Sequence, residues 1–136
     1  MAHSRIRSGN TKGGFLHPEL NYGGSKVVVA GDQIFMVGCT GLTLDDNNFV
    51  GEGDPVAQAH QALRNVRILL EEAGSKIEDI CMINVYTTDD SYSELVYPVI
   101  ANYLNGVIPT NTSNTVKSIA ESYIDLEIDV WAVLPD

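Results

Sequence analysis

Tyr123–Leu134, which reads YIDLEIDVWAVL, decides the fold of this chain. The stretch alternates without a break. Ile124, Leu126, Ile128, Val130, Ala132 and Leu134 fall on one side; Asp125, Glu127, Asp129, Trp131 and Val133 fall on the other. Strict period-two alternation is the pattern of a strand with two unlike faces. The apolar row calls for a cover of helices, and a strand this apolar is expected at the centre of its sheet. The opposite row raises the question of function. Three carboxylates in register repel one another unless water, a hydrogen-bond donor or a subunit boundary receives them. Glu127 is therefore the first candidate for chemistry, with a solvated outer face as the plain alternative.

The cover is legible upstream. Asp54-Pro55 opens a helix, with Asp as N-cap and Pro at the first helical position, and Gly74 stops it. Val56, Ala59, Leu63, Val66, Leu70 and Ala73 recur at steps of three and four, while Gln58, Gln61, Arg64, Arg67 and Glu71 lie largely off that stripe. Ile80–Thr88 is the next strand. Asp90 is expected to cap a second helix to about Leu104, with a kink or a broken start at Pro98 and an end at Gly106 and Pro109. Thr110–Thr115 is a polar, β-branched run that leads through Val116–Ile119 to the final strand.

Before the first helix, Ser25–Ala30 and Gln33–Val37 are β-rich runs joined by Gly31-Asp32, a tight hairpin. Glycines flank the following Cys39-Thr40 step at Gly38 and Gly41, where the backbone can bend or approach a ligand closely. Asp45–Asn48 forms a turn, and Phe49-Val50 a brief strand. Residues 1–24 are the least defined, with a short edge strand over His3–Arg7. The sum is one domain over 1–136: an α+β fold with a single mixed sheet and two helices on one face. The other face lacks a cover, and self-association is the economical way to supply one.

Composition narrows the function. The 136 residues are 44% hydrophobic and 19% charged, ordinary values for a globular domain. No apolar run reaches the ~20 residues of a membrane-spanning helix, and the first residues lack the apolar core of a secretory signal. Cys39 and Cys81 have no CxxC spacing and are expected as free thiols, with a cytoplasmic location as the default expectation. The net charge of −10 and the scattering of Lys and Arg disfavour nucleic acid as a partner.

Four ordered blocks now read together: GDQIFMVGCTG at 31–41, DPVAQAHQALRNVRILLEEAGSKIEDI at 54–80, INVYTTDD at 83–90 and LEIDVWAVLP at 126–135. In this order they resemble the YjgF/Rid family, whose best-known members deaminate reactive imines and enamines. Gln58, Gln61, Asn65 and the AGSKIEDI close are the most specific part. The resemblance implies a chorismate-mutase-like fold and a homotrimer with small-molecule sites in the clefts between subunits. It assigns Glu127 to the family's water-orienting Glu and Gly38 to the glycine after the second strand, with Tyr22 loosely matching the family's tyrosine.

The chain departs from the pattern at the substrate's head group. Where the family carries an Arg that grips a carboxylate, this chain has Asn111; Val96 stands where the second helix usually carries Asn. A bidentate Arg–carboxylate pair is worth on the order of 1.5–3 kcal/mol. Asn offers only neutral donors and acceptors, so an amide, hydroxyl or ring compound becomes the expected ligand.

The site expected from all this is Glu127 as the catalytic residue, with Asn111, Thr112, Gly38, Cys39, Thr40 and Tyr22 around the substrate. No metal or cofactor is called for. Asp125, Glu127 and Asp129 could converge on a cation, but the set lacks His and any metal-loop signature. Cys39 as a nucleophile would need a base or cation beside it, and packing is the default for it as for Trp131. The expected activity is hydrolysis of a small C–N compound. The alternative is a trimer that binds a small molecule without turning it over.

Overall fold

The computed structural model describes residues 3–6 and 24–135. Six strands, β1 (Ser4–Ile6), β2 (Val27–Ala30), β3 (Gln33–Met36), β4 (Ile80–Thr87), β5 (Thr110–Thr115) and β6 (Leu126–Val133), form one sheet in the order β1-β2-β3-β6-β4-β5. The closing strand is thus internal, between β3 and β4. Every pairing is antiparallel except β4 with β5. That pair is parallel because the helix α2 (Ser93–Leu104) crosses between them, the connection a parallel pair requires.

Helix α1 (Pro55–Glu72) begins as its sequence dictates. The Asp54 carboxylate accepts from the Val56 and Ala57 N–H groups, both at 3.1 Å. Its apolar stripe (Ala59, Ala62, Leu63, Val66, Leu69 and Leu70) packs in one core with Ile128, Val130 and Ala132 of β6, Ile83 and Val85 of β4, and Val96 and Ile100 of α2. The alternation of β6 is therefore realised: its even-numbered side chains are buried under the helices, and Glu127, Asp129 and Trp131 face the other way, partly buried.

Local details differ from the sequence reading. Asp89, not Asp90, caps the second helical segment, accepting from the Ser91 N–H at 2.9 Å. A single 3-10 turn over Asp90–Tyr92 precedes α2. Pro98 lies inside α2 without ending it. Its ring is exposed, so the carbonyl it leaves without a donor can be hydrated. Phe49 makes only an isolated bridge with Leu42 rather than a strand. Cys81 sits at a register irregularity of β4 and is an exposed free thiol.

The loop from Gly38 to Gly53 is fastened to α1 by amides that the helical stripe had left off the core. Gln58 is fully buried; its side chain donates to the Gly51 carbonyl at 2.9 Å and accepts from the Asp125 N–H at 2.8 Å. Asn65 donates to the Leu42 carbonyl at 2.7 Å and accepts from Gln61 at 2.8 Å. Gly41 makes this closeness possible, since a Cβ there would collide with the Val50 carbonyl and come within 3.3 Å of the Gln58 side chain. A backbone carbonyl cannot swing aside as a flexible side chain would. Gly41→Ala is expected to destabilise the protein by about 1–3 kcal/mol, read as a melting temperature lower by several degrees. An unchanged melt would mean that the loop yields freely.

Candidate functional site

The site is built where β6 meets β4 on the helix-free face. Cross-strand register sets Tyr86 opposite Glu127 and Asn84 opposite Asp129. Extending the rows to β5 adds Asn114 beside Tyr86 and Thr112 beside Asn84. Glu127 and Asp129 are two residues apart on one strand and therefore neighbours on one face. Gly38 lies over both. A Cβ at Gly38 would come within 2.5 Å of the Glu127 carboxyl carbon and 2.9 Å of Asp129 Oδ1. The missing side chain is the space in which the two carboxylates sit.

Their electrostatics follow from that confinement. Burial, then the charge of Asp129 and a hydrogen bond to it, hold the Glu127 carboxyl above its ordinary range. Burial also raises Asp129, while hydrogen bonds from Tyr86 and Glu127 oppose the rise. The Tyr86 phenol is in turn pushed up, chiefly by the Asp129 charge. A carboxyl whose range is raised in this way holds its proton to higher pH than a free one, which suits a group that gives and takes a proton.

The other sequence candidates divide. Cys39 lies across the backbone from this pair, facing the core. It is 2% exposed, and it exchanges backbone hydrogen bonds with Ile128 at 2.9 and 2.8 Å. Burial first, then the charges of Glu127 and Asp129, drive its thiol well above the ordinary thiol range, and Lys26 offsets this only in part. A thiol so placed is not a nucleophile; it packs. The Thr40 hydroxyl accepts from the Leu42 N–H at 3.1 Å, and its carbonyl accepts from Asn65 at 3.3 Å, so Thr40 shapes the loop. Tyr22 lies outside the described residues. Asp125 leaves the row of carboxylates: the Thr88 hydroxyl donates to it at 2.8 Å and the Gln58 amide at 3.4 Å. The three acids therefore do not converge, and among the described residues no group of three or more His, Cys, Asp or Glu is placed to hold a metal.

Asn111 occupies a different place. It pairs with Ile83, whose side chain is on the helix side, and its Oδ1 accepts from the Tyr97 hydroxyl of α2 at 3.1 Å. It stands at one end of a groove of about 420 Å³ between α2 and β5, walled by Tyr97, Ile100, Leu104, Ile108 and Pro109. Thr112, its exposed neighbour, belongs to the opposite face with Asn84. Asn111 and Glu127 thus lie on opposite faces of one sheet. Asp129 and Tyr86 join Glu127 on this face, and the alternation of β6 and β4 is the sequence signal for both.

Comparison with known proteins gives this geometry a context. Residues 16–134 match the family described as endoribonuclease L-PSP. A RutC family protein of Synechocystis is 27% identical over 112 residues, covering 82% of this chain and 85% of that protein. The crystal structure of a Mycobacterium tuberculosis member of the YjgF/YER057c/UK114 family superposes with a TM-score of 0.81 at 26% identity, covering 98% and 100% of the two chains. The Rid family protein YyfA of Yersinia pestis shares the fold, with a TM-score of 0.84 at 22% identity over 98% and 100% of the chains. The family match over residues 16–134 and the shared fold agree: the chain belongs to the endoribonuclease L-PSP family, the YjgF/Rid proteins.

Proposed function

We propose that the protein is a Rid-type hydrolase of a small, short-lived imine or enamine with a neutral head group, working as a homotrimer with its sites between copies. The observation that carries this reading is the placement of Asn111 and Glu127 on opposite faces of the sheet. A single chain cannot bring them to one ligand; two chains can, if the helix-free face of one copy meets the β5 edge of the next. Glu127 then handles the protons of the water that adds to the C=N carbon. Asn111 of the adjacent copy, its Oδ1 held by Tyr97, presents its amide N–H to the head group, and the apolar groove receives the body of the molecule. Thr112 supplies a further hydroxyl at the edge. Grooves of this size and lining suit small ligands.

A neutral head group is favoured over a carboxylate on two counts. Among the described residues the groove is lined by no charged side chain, and a net charge of −10 repels anions at long range. The same charge weighs against RNA as a substrate. Loss of the Arg also supports a second reading, a trimer that binds its ligand without turnover; thermal stabilisation by neutral amides with no ammonia release would favour it.

The test is complementation. Glu127→Gln and Asn111→Asp trimers are each expected to release little ammonia from imines carrying amide head groups. Co-expressed in equal amounts, they form mixed trimers in which about a quarter of the clefts pair an intact Asn111 with an intact Glu127. Turnover should recover to about that fraction of the unaltered protein. A mixture no better than its parents would remove the shared cleft.

A further inference from the structure

We infer that Ala101 of α2 is a specificity-determining residue, which keeps the groove between α2 and β5 open for a large apolar substituent on the carbon of the C=N bond. This rests on the reading of Asn111 as the head-group contact. It narrows the substrate to a class: imines that join a neutral hydrogen-bond acceptor to a branched aliphatic or aromatic side chain of isobutyl size or larger.

The groove is a product of how α2 ends. Tyr97, Ala101 and Leu104 recur at steps of four and three, so they share one face of the helix, with Ile100 beside them. Asn105 then takes left-handed backbone, with φ 47° and ψ 53°, and its N–H closes the helix on the Ala101 carbonyl at 3.0 Å. Gly106 follows at φ +92°, and the Val107 N–H turns back to the Leu104 carbonyl at 3.0 Å. The chain reverses there, and Val107, Ile108 and Pro109 form the facing wall on the way into β5. Two positions of the lining carry next to no side chain, Gly106 and Ala101. Gly106 serves the turn. Ala101 lies inside a regular helix, where a larger residue would fit the backbone equally well and would fill the space.

That space is larger than a head group at Asn111 uses. Its volume is about 420 Å³, which at ~30 Å³ per molecule holds about fourteen waters. The walls offer those waters little. Ile100, Leu104, Val107, Ile108 and Pro109 bring no side-chain donor or acceptor, and the Tyr97 hydroxyl is already given to Asn111. Water held against such walls is displaced at a gain by an apolar group. Ile108 is 93% exposed. One exposed aliphatic side chain is ordinary, but this one carries the apolar wall outward from the groove. The two ends of the groove thus ask for different things: a neutral acceptor at Asn111, and apolar bulk beside Ala101. Among the described residues no charge in the lining calls for an ionic ligand.

Unreactive carboxamides test this without turnover. Propanamide, 4-methylpentanamide and 3-phenylpropanamide share one acceptor and differ in the apolar part. They are titrated into the unaltered protein and followed on the ¹³C-labelled methyl groups of Ala, Ile, Leu and Val. The two larger amides are expected to bind at least about tenfold more tightly than propanamide, since each further buried methylene contributes about fourfold. They should shift the methyl signals of Ile100, Ala101 and Ile108. Ala101→Leu places a good helix former at an exposed position, so the fold tolerates it. It should reduce the preference for 4-methylpentanamide over propanamide to less than about threefold. Ile108→Ala lowers one wall without filling the groove and should weaken the two larger amides severalfold. Equal affinities for the three amides, or a preference unmoved by Ala101→Leu, would overturn the inference. So would groove methyls that no amide reaches, the result expected if a neighbouring copy fills the space. Binding with the expected size preference, but no ammonia from the matching imines, would instead remove the hydrolase reading and leave the selectivity of the groove standing.

Discussion

Glu127→Gln is expected to lower turnover by at least about tenfold while raising the melting temperature at pH 7. The two halves have one cause. The folded chain holds the Glu127 carboxyl above its ordinary range by burial and by the Asp129 charge, so over that interval the folded state binds more protons than the unfolded one. Stability then falls as pH rises. The favourable contribution is complete below the ordinary Glu value, about 4.3, and is lost as pH climbs through the raised folded value. Asp129, also raised, acts in the same direction. At pH 7 the unfolded chain gives up a proton that the folded chain holds more tightly, so the Glu127 carboxyl is a cost to the fold there, and Gln removes that titration without changing side-chain shape. Thermal melts at pH 4 and pH 7, at one protein concentration because assembly contributes to stability, should show the variant's advantage at pH 7 and little difference at pH 4. A variant less stable than the parent at both values would mean that the carboxylate holds the structure together. Proteins carry such liabilities where activity needs them.

What the sequence disclosed, and what it could not, divides along a physical line. Alternation is a local property, so the two faces of β6 and their covering by α1 follow from residues 123–134 and 54–74 without further information. The β2–β3 hairpin is equally local, with Gly31 at the positive φ of +64° that the turn requires. Gln58, Gln61 and Asn65 were legible as a pattern but not as a role. Helical periodicity scores an amide as polar, and only the path of the 38–53 loop over α1 shows that these amides are buried hydrogen-bond clamps. Asp125 misleads for the same reason: alternation puts it with Glu127, but it precedes the paired part of β6 and turns to Thr88 and Gln58. The separation of Asn111 from Glu127 depends on the parallel register of β5 against β4, a long-range property that no window of sequence contains.

The same face that holds the acids carries an apolar band, and Phe35→Asp is expected to break the proposed trimer into lone chains. Register aligns Val28, Phe35, Trp131 and Met82 across four adjacent strands on the side away from the helices. Phe35 is 43% exposed and Val133, on the same face, 37%. Contiguous apolar surface of this kind in a single chain marks a contact. Burying a Phe contributes about 1.5–3 kcal/mol, and an aspartate carried into a closed interface without a partner costs several more. Both terms act in every copy, and each copy already carries a net charge of −10. In sedimentation at micromolar concentration the parent should run near three times 14.8 kDa and the variant near 14.8 kDa. The isolated chain itself should fold, because Phe35 lies outside the buried core, and circular dichroism would register that directly. Turnover should disappear with the trimer, although Asn111, Glu127 and Asp129 are all unaltered. A variant that still sediments as a trimer would show that the copies meet elsewhere, and the shared cleft would then need a different pair of surfaces.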